Sequence, residues 1–407
     1  WLPHIMESAP QVSGTPKEEF VASDTMIKSA PPQESITIGA TLDLSKGLRE
    51  IGENTRKGLA KAVEEINQSG GIHGKPVRLI TLDNESDPRM ARENVEELIN
   101  TYHTTIIIAP IGADTTVSLL DLVKDKKILL LFPSSGSSEL RDPSLTNIIH
   151  LGSSYADIYT NLLNYAQEKL HVKKVAFFAI DNTSTADLQA YFKSPQAASD
   201  DNLKLFLHDQ ASTNFQPLIK EMLDFGPDAI GLFTTARAAS DFIRQVGAHN
   251  LAQKRLFGIR GDDQQFRDTL VREGLAQQLI NGKNFPNPQT SNLEIVQDYR
   301  NAMQNTDLTI FGLEGYISGK LFADLAQRIS GTVTKESLVA AAEAIKNYNF
   351  KGLLLNFDPQ KRQLYHTVWI DIGDTNWIPV DTRQQPNLVQ KTKNISTSTI
   401  HATVPEL

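Results

Sequence analysis

The 407-residue chain contains no cysteine. That excludes disulfides, thiolate metal sites and a cysteine nucleophile. No apolar run reaches the roughly 18 residues that a membrane-spanning helix needs. Basic residues are in the minority, 40 Lys and Arg against 48 Asp and Glu, for a formal charge of −8. With no basic run interleaved with aromatics, this balance argues against a nucleic-acid partner. Catalytic signatures are missing too: there is no G-x-x-x-x-G-K-[ST], no H-E-x-x-H, no G-x-S-x-G, and no G-x-G-x-x-G after a strand. The nine histidines are scattered, and His150, His171 and His208 have no partner at metal-ligand spacing. Asp200-Asp201 and Asp262-Asp263 read as turn residues rather than acid/base pairs. Neither an enzyme nor a cofactor is expected.

What is present is ordinary globular material, 40% hydrophobic and 22% charged, in a chain long enough for two lobes. The most informative stretch is Gly58–Pro88. Leu59, Ala62, Val63 and Ile66 recur at helical spacing, with Lys61, Glu64 and Glu65 outside the apolar face. Gly70-Gly71 suits a helix end and the turn after it. Val77–Leu82 then reads as a short buried strand.

The same alternation runs along the chain. Strands are predicted at Ile36–Leu42, Thr105–Ala109, Ile128–Phe132, Lys174–Ile180, Leu203–Leu207, Ala229–Phe233 and Arg255–Ile259. Helices are predicted between them, among them Met90–Thr101, Thr115–Asp125, Ile158–Lys169, Thr185–Phe192, Phe215–Phe225 and Ala238–His249. Ile310–Ile329 and Glu336–Ile345 read as later helices, Gly352–Phe357 and Thr367–Ile372 as late strands. Continuous apolar runs suit strands buried on both faces, so the expected class is α/β, with open parallel sheets covered by helices on both sides.

Residues 1–35 are poor in periodicity and rich in Pro, Ser, Glu and Gln, and read as a flexible tether. Residues 381–407 read as a polar tail. Trp1 in place of Met reads as a processed form.

The spelling GL-x-x-A-x-x-x-IN-x-x-GGI-x-G-K, a strand, then D-x-x-S-D-P resembles the type I periplasmic binding proteins. The nearest branch is similar to the branched-chain amino-acid (Leu/Ile/Val) binding proteins of ABC transporters. The resemblance runs from about Ile36 to Val380. It implies two hinged lobes, 36–153 plus 284–346 and 154–283 plus 347–380. It also implies a periplasmic or extracytoplasmic location, with residues 1–35 as a candidate membrane tether. A small-molecule ligand (an amino acid, an amide or an organic anion) would bind between the lobes. The partner would be an ABC permease or a membrane signalling protein. A sensory module, or a scaffold that has lost its ligand, are the alternatives.

Open parallel sheets bind ligands beyond the carboxyl ends of their strands. In the first lobe this selects Ala113, Asp114 and Thr115 after one strand and Ser134, Ser135 and Gly136 after another. In the second it selects Thr185, Thr234, Thr235 and Arg260. Relative to the family pattern, Ala113 and Gly136 stand where hydroxyls are expected. Thr185 replaces an aromatic, Ile51 stands where a tyrosine often stacks, and Arg260 replaces the acid that holds an α-ammonium. A cation in place of that acid is worth several kcal/mol in a partly buried site. This disfavours a free zwitterionic amino acid and favours a ligand with an anionic group.

Overall fold

The computed structural model describes residues 19–22, 34–259 and 262–384. Two sheets organise them. The first has the order β1-β3-β2-β4-β5-β6, from β1 (Glu19–Ala22), β2 (Ile36–Leu42), β3 (Val77–Asp83), β4 (Ile106–Ile108), β5 (Leu129–Leu131) and β6 (Ile148–Ile149). Its strands run parallel except β1, which pairs antiparallel with β3. Part of the expected tether is thus an edge strand. Its backbone pairing is a long-range event that local composition does not encode.

The second sheet has the order β15-β14-β11-β10-β9-β7-β8. It comprises β7 (Val175–Ile180), β8 (Leu203–His208), β9 (Ala229–Phe233), β10 (Arg255–Gly258), β11 (Leu279–Lys283), β14 (Thr367–Asp371) and β15 (Ile378–Asp381). β14 runs antiparallel to both its neighbours, β11 and β15, and the other pairings are parallel. A hairpin of β12 (Tyr348–Phe350) and β13 (Leu353–Leu355) stands apart.

Each sheet has an apolar core on both faces, as the continuous runs in β4, β5, β7 and β9 require. The chain leaves the first lobe's core after Leu151 and enters the second with the helix Tyr155–Lys169. It returns between Ile280 and Phe285. The last crossing differs from the expected one at 347–351. Phe350, Leu353, Leu355, Leu364 and Tyr365 pack in the first lobe's core, and Val368 is the next residue in the second. The apolar run 352–357 is one arm of a hairpin on the first lobe, so the switch falls after Tyr365.

The helix Arg49–Gln68 buries Ile51, Leu59, Ala62, Val63 and Ile66. It lies along the helix Ile310–Gln327, which is buried over most of its length. The two backbones meet at Gly58, where a Cβ would come within 1.9 Å of the Gly312 carbonyl oxygen.

Candidate functional site

The loops at the carboxyl ends of the strands in the two lobes meet one another. After β2, buried Asp43 shapes its loop by accepting backbone N–H groups from Lys46 at 2.7 Å and Leu48 at 2.6 Å. After β4, Ala113–Val117 forms one short helix and Leu120–Lys124 a second. The single helix expected over Thr115–Asp125 is broken there. Ser118 and Thr115, Thr116 turn their hydroxyls back onto backbone carbonyls, a local bond that competes with the helix ladder.

The expected ligand residues mostly bond to their own chain. Asp114 Oδ1 accepts from Thr183 Oγ1 of the other lobe at 2.5 Å. Ser137 Oγ donates to the Thr183 carbonyl at 3.3 Å. Ala113 and Ser134 are half-buried, while Thr115 and Ser135 are buried. Thr115 donates to the Ile111 carbonyl at 2.7 Å. Ser135 Oγ accepts from the Ser137 N–H at 3.4 Å. Gly136 accepts the Tyr155 N–H at 2.8 Å, and a Cβ there would come within 2.4 Å of that nitrogen. A glycine, not a hydroxyl residue, lets the two lobes approach at this point.

In the second lobe, buried Thr185 donates to the Ile180 carbonyl at 2.5 Å. Thr234 Oγ1 lies 2.7 Å from His208 Nε2, whose pKa burial lowers. Thr235 caps the helix Ala236–Val246 by accepting from Ala238 N at 3.2 Å. Arg260 lies outside the described residues.

Beside this direct contact is a cavity of about 170 Å³ between the lobes. Glu50, Ile51 and Phe311 of the first lobe line it, with Asp262, Arg267 and Trp377 of the second. None of the described residues assigned to the ligand from the sequence lines it, though Ile51 and the turn residues Asp262 and Asp263 do. Glu50 bridges to the other lobe by accepting the Gln264 N–H at 3.3 Å. Buried Lys283 pairs with Asp262 and holds its ammonium 5.1 Å from the Trp377 ring centre. Ile51, noted above only as the absence of a tyrosine, was the available pointer to this cavity.

Two further features were missed. Glu314, in the helix Ile310–Gln327, is buried against Ser134, and burial pushes its carboxyl up to about 7 while the Ser134 hydroxyl partly opposes that. An acid within the apolar stretch Ile310–Leu325 was its signal. At the crossings, Lys361 reaches Asp157 of the second lobe at 3.3 Å. Arg141 donates to Gln363 at 2.6 Å and to the Gly152 carbonyl at 3.2 Å, and burial holds its guanidinium at about 10. Among the described residues there is no cluster of His, Cys, Asp and Glu fit to hold a metal.

A family model described as periplasmic binding protein matches residues 35–370. The Leu/Ile/Val-binding protein of Escherichia coli is 24% identical over 247 residues, 56% of this chain and 65% of that protein, so the alignment spans less than two thirds of the relative. A solved possible leucine/isoleucine/valine-binding protein from Rhodopirellula baltica superposes with a TM-score of 0.72 at 21% identity, over 88% of this chain and 99% of that one. The branched-chain amino acid transporter substrate binding protein LivJ of Streptococcus pneumoniae, solved with isoleucine, gives 0.71 at 18% identity, over 85% and 99%. At these identities the superpositions speak to the fold alone.

Proposed function

The chain belongs to the periplasmic binding protein family, and from that premise we propose that it is the extracytoplasmic solute-binding component of an ABC transporter of the branched-chain amino-acid type. It holds a small polar molecule between its lobes, and an ABC permease reads the closed form. The single observation that carries this reading is the cross-cleft meeting of strand-end loops, Asp114 with Thr183 and Glu50 with Gln264, around an interlobe cavity. A solute that touches both lobes favours the closed arrangement by the contacts it makes only there.

The proposed ligand shell combines the cavity walls with the loop residues Ala113, Asp114, Thr115, Ser134, Ser135, Gly136, Thr185, Thr234, Thr235 and Arg260. No helix among the described residues is long and apolar enough to cross a membrane. Tethering of the chain through residues 1–35 is part of the proposal. A scaffold or sensory role is a second reading. It draws on the hydroxyls of Thr115, Thr185 and Thr234, all engaged by the chain's own groups.

A thermal-shift screen with amino acids, short amides, organic anions and amines tests the proposal. A true ligand at 100 times its dissociation constant stabilises the fold by about 2.7 kcal/mol. Its shift should shrink in Asp114→Ala. A well-folded sample that responds to no member of such a panel favours the scaffold reading.

A further inference from the structure

We propose that the interlobe cavity takes a small organic cation: a primary amine on a single ring or short alkyl body, its ammonium at Glu50 and its apolar part against Phe311 and Trp377. The assignment rests on reading the cleft as a solute site, and it names the chemical class of that solute.

Size comes first. A cavity of about 170 Å³ is close to the roughly 150 Å³ that admits one benzene ring, and well below the approximately 300–1,000 Å³ of drug-sized pockets. The wall comes second. Ile51, Leu308 and Phe311 face Ile259 and Trp377 across the lobes, an apolar lining with two aromatic rings. Aromatic faces attract cations, and the Trp377 ring already has the Lys283 ammonium 5.1 Å from its centre.

Charge decides the head group. Three carboxylates, of Glu50, Asp262 and Asp263, line the cavity against the one guanidinium of Arg267. Asp262 is paired with Lys283. Asp263 caps the helix Gln264–Arg272, accepting from Gln265 N at 3.0 Å and Phe266 N at 3.3 Å. Arg267 donates to the Asp262 carbonyl and, at 2.8 Å, to Gln264 Oε1. Counting Lys283, three negative charges meet two positive ones, which leaves the described lining one charge negative. Among the described residues Glu50 has no ion-pair partner, and its hydrogen bond from Gln264 N is long at 3.3 Å. Glu50 is thus the acid with acceptor capacity to spare, and an ammonium brings three donors to it. The competing assignment is an anion held by Arg260.

The test titrates the full chain calorimetrically with phenethylamine, benzylamine, benzyl alcohol, benzoate and leucine, in the parent and in Glu50→Gln. Glu50 is exposed at the surface end of its helix, so the variant should fold. The amines should bind, with benzoate and benzyl alcohol weaker. Glu50→Gln should weaken the amines about tenfold, the loss of one charge-assisted hydrogen bond, and leave benzyl alcohol unchanged. Trp377→Ala should weaken amines and alcohol together. Benzoate binding as tightly as the amines, or amine binding indifferent to Glu50→Gln, would overturn the assignment. Leucine binding without any amine binding would also overturn it, yet leave the solute-binding reading intact. A chain that binds none of a broad solute panel would end both.

Discussion

Glu314 is a carboxylic acid held far from the ordinary carboxylate range by its place in the apolar helix. Its carboxyl is pushed from the usual 4.5 to about 7 by burial. Between those two values the folded chain keeps a proton that the unfolded chain has released. Stability from this group is therefore complete below about pH 4.5, falls as pH rises, and levels off above about pH 7, a total of roughly 3 kcal/mol. Glu314→Gln keeps the shape and removes the titration. In urea unfolding the variant should match the parent at pH 4 and exceed it by up to about 3 kcal/mol at pH 8. A parent-minus-variant difference that does not change with pH would mean that Glu314 is solvated. Because Glu314 touches Ser134, the same variant also reports whether solute affinity depends on its protonation.

At the scale of elements, the contact between the helices Arg49–Gln68 and Ile310–Gln327 fixes the first lobe. It depends on glycines at the crossing: a Cβ on Gly58 would collide with the Gly312 carbonyl at 1.9 Å, and one on Gly315 with the Thr55 carbonyl at 2.3 Å. Gly58→Ala gains helix propensity but forces the pair apart, and should cost about 1–3 kcal/mol net in chemical denaturation. A neutral result would mean that the helices slide at no cost. The helical period of Leu59, Ala62, Val63 and Ile66 made this helix legible in the sequence, but Gly58 gave no hint of its role, because the partner lies some 250 residues on. The same division holds for the strands. VAFFAI and AIGLF were readable because both faces of their sheet are covered. Edge strand β1, the hairpin arm β12 and the late strands β11 and β15 were missed, and the strand expected over 352–357, which holds β13, packs in the first lobe instead of the second, because long-range pairing rather than local pattern defines these places. The helix expected over Thr115–Asp125 broke where Ser118 bonds back to Thr115, a choice that composition leaves open.

For the whole molecule, the rule that ligands lie beyond strand carboxyl ends located the loops but not the free space. Asp114 bonds across the lobe junction, and Thr115, Ser135, Thr185 and Thr234 bond within their own lobes. Which loops touch and which leave a cavity is set by the angle between the lobes, a quantity no local pattern carries. That angle is held in part by the pair of half-buried Lys361 with buried Asp157, which spans the crossings. Lys361→Met removes one of the partners of Asp157 while the Arg141 guanidinium stays near, and should cost about 1 kcal/mol, seen as a lower denaturation midpoint. Asp114→Ala removes the bond to Thr183 and should shift the free protein toward more open forms, with a larger radius of gyration.

The most direct test is small-angle scattering of the full chain, free and saturated with the solute that gives the largest thermal shift. Closure between two lobes predicts a smaller radius of gyration and a shortened maximum dimension on loading, with the change enlarged in Asp114→Ala, whose free form starts more open. Superimposable profiles for free and saturated protein would contradict a function that works by hinge closure.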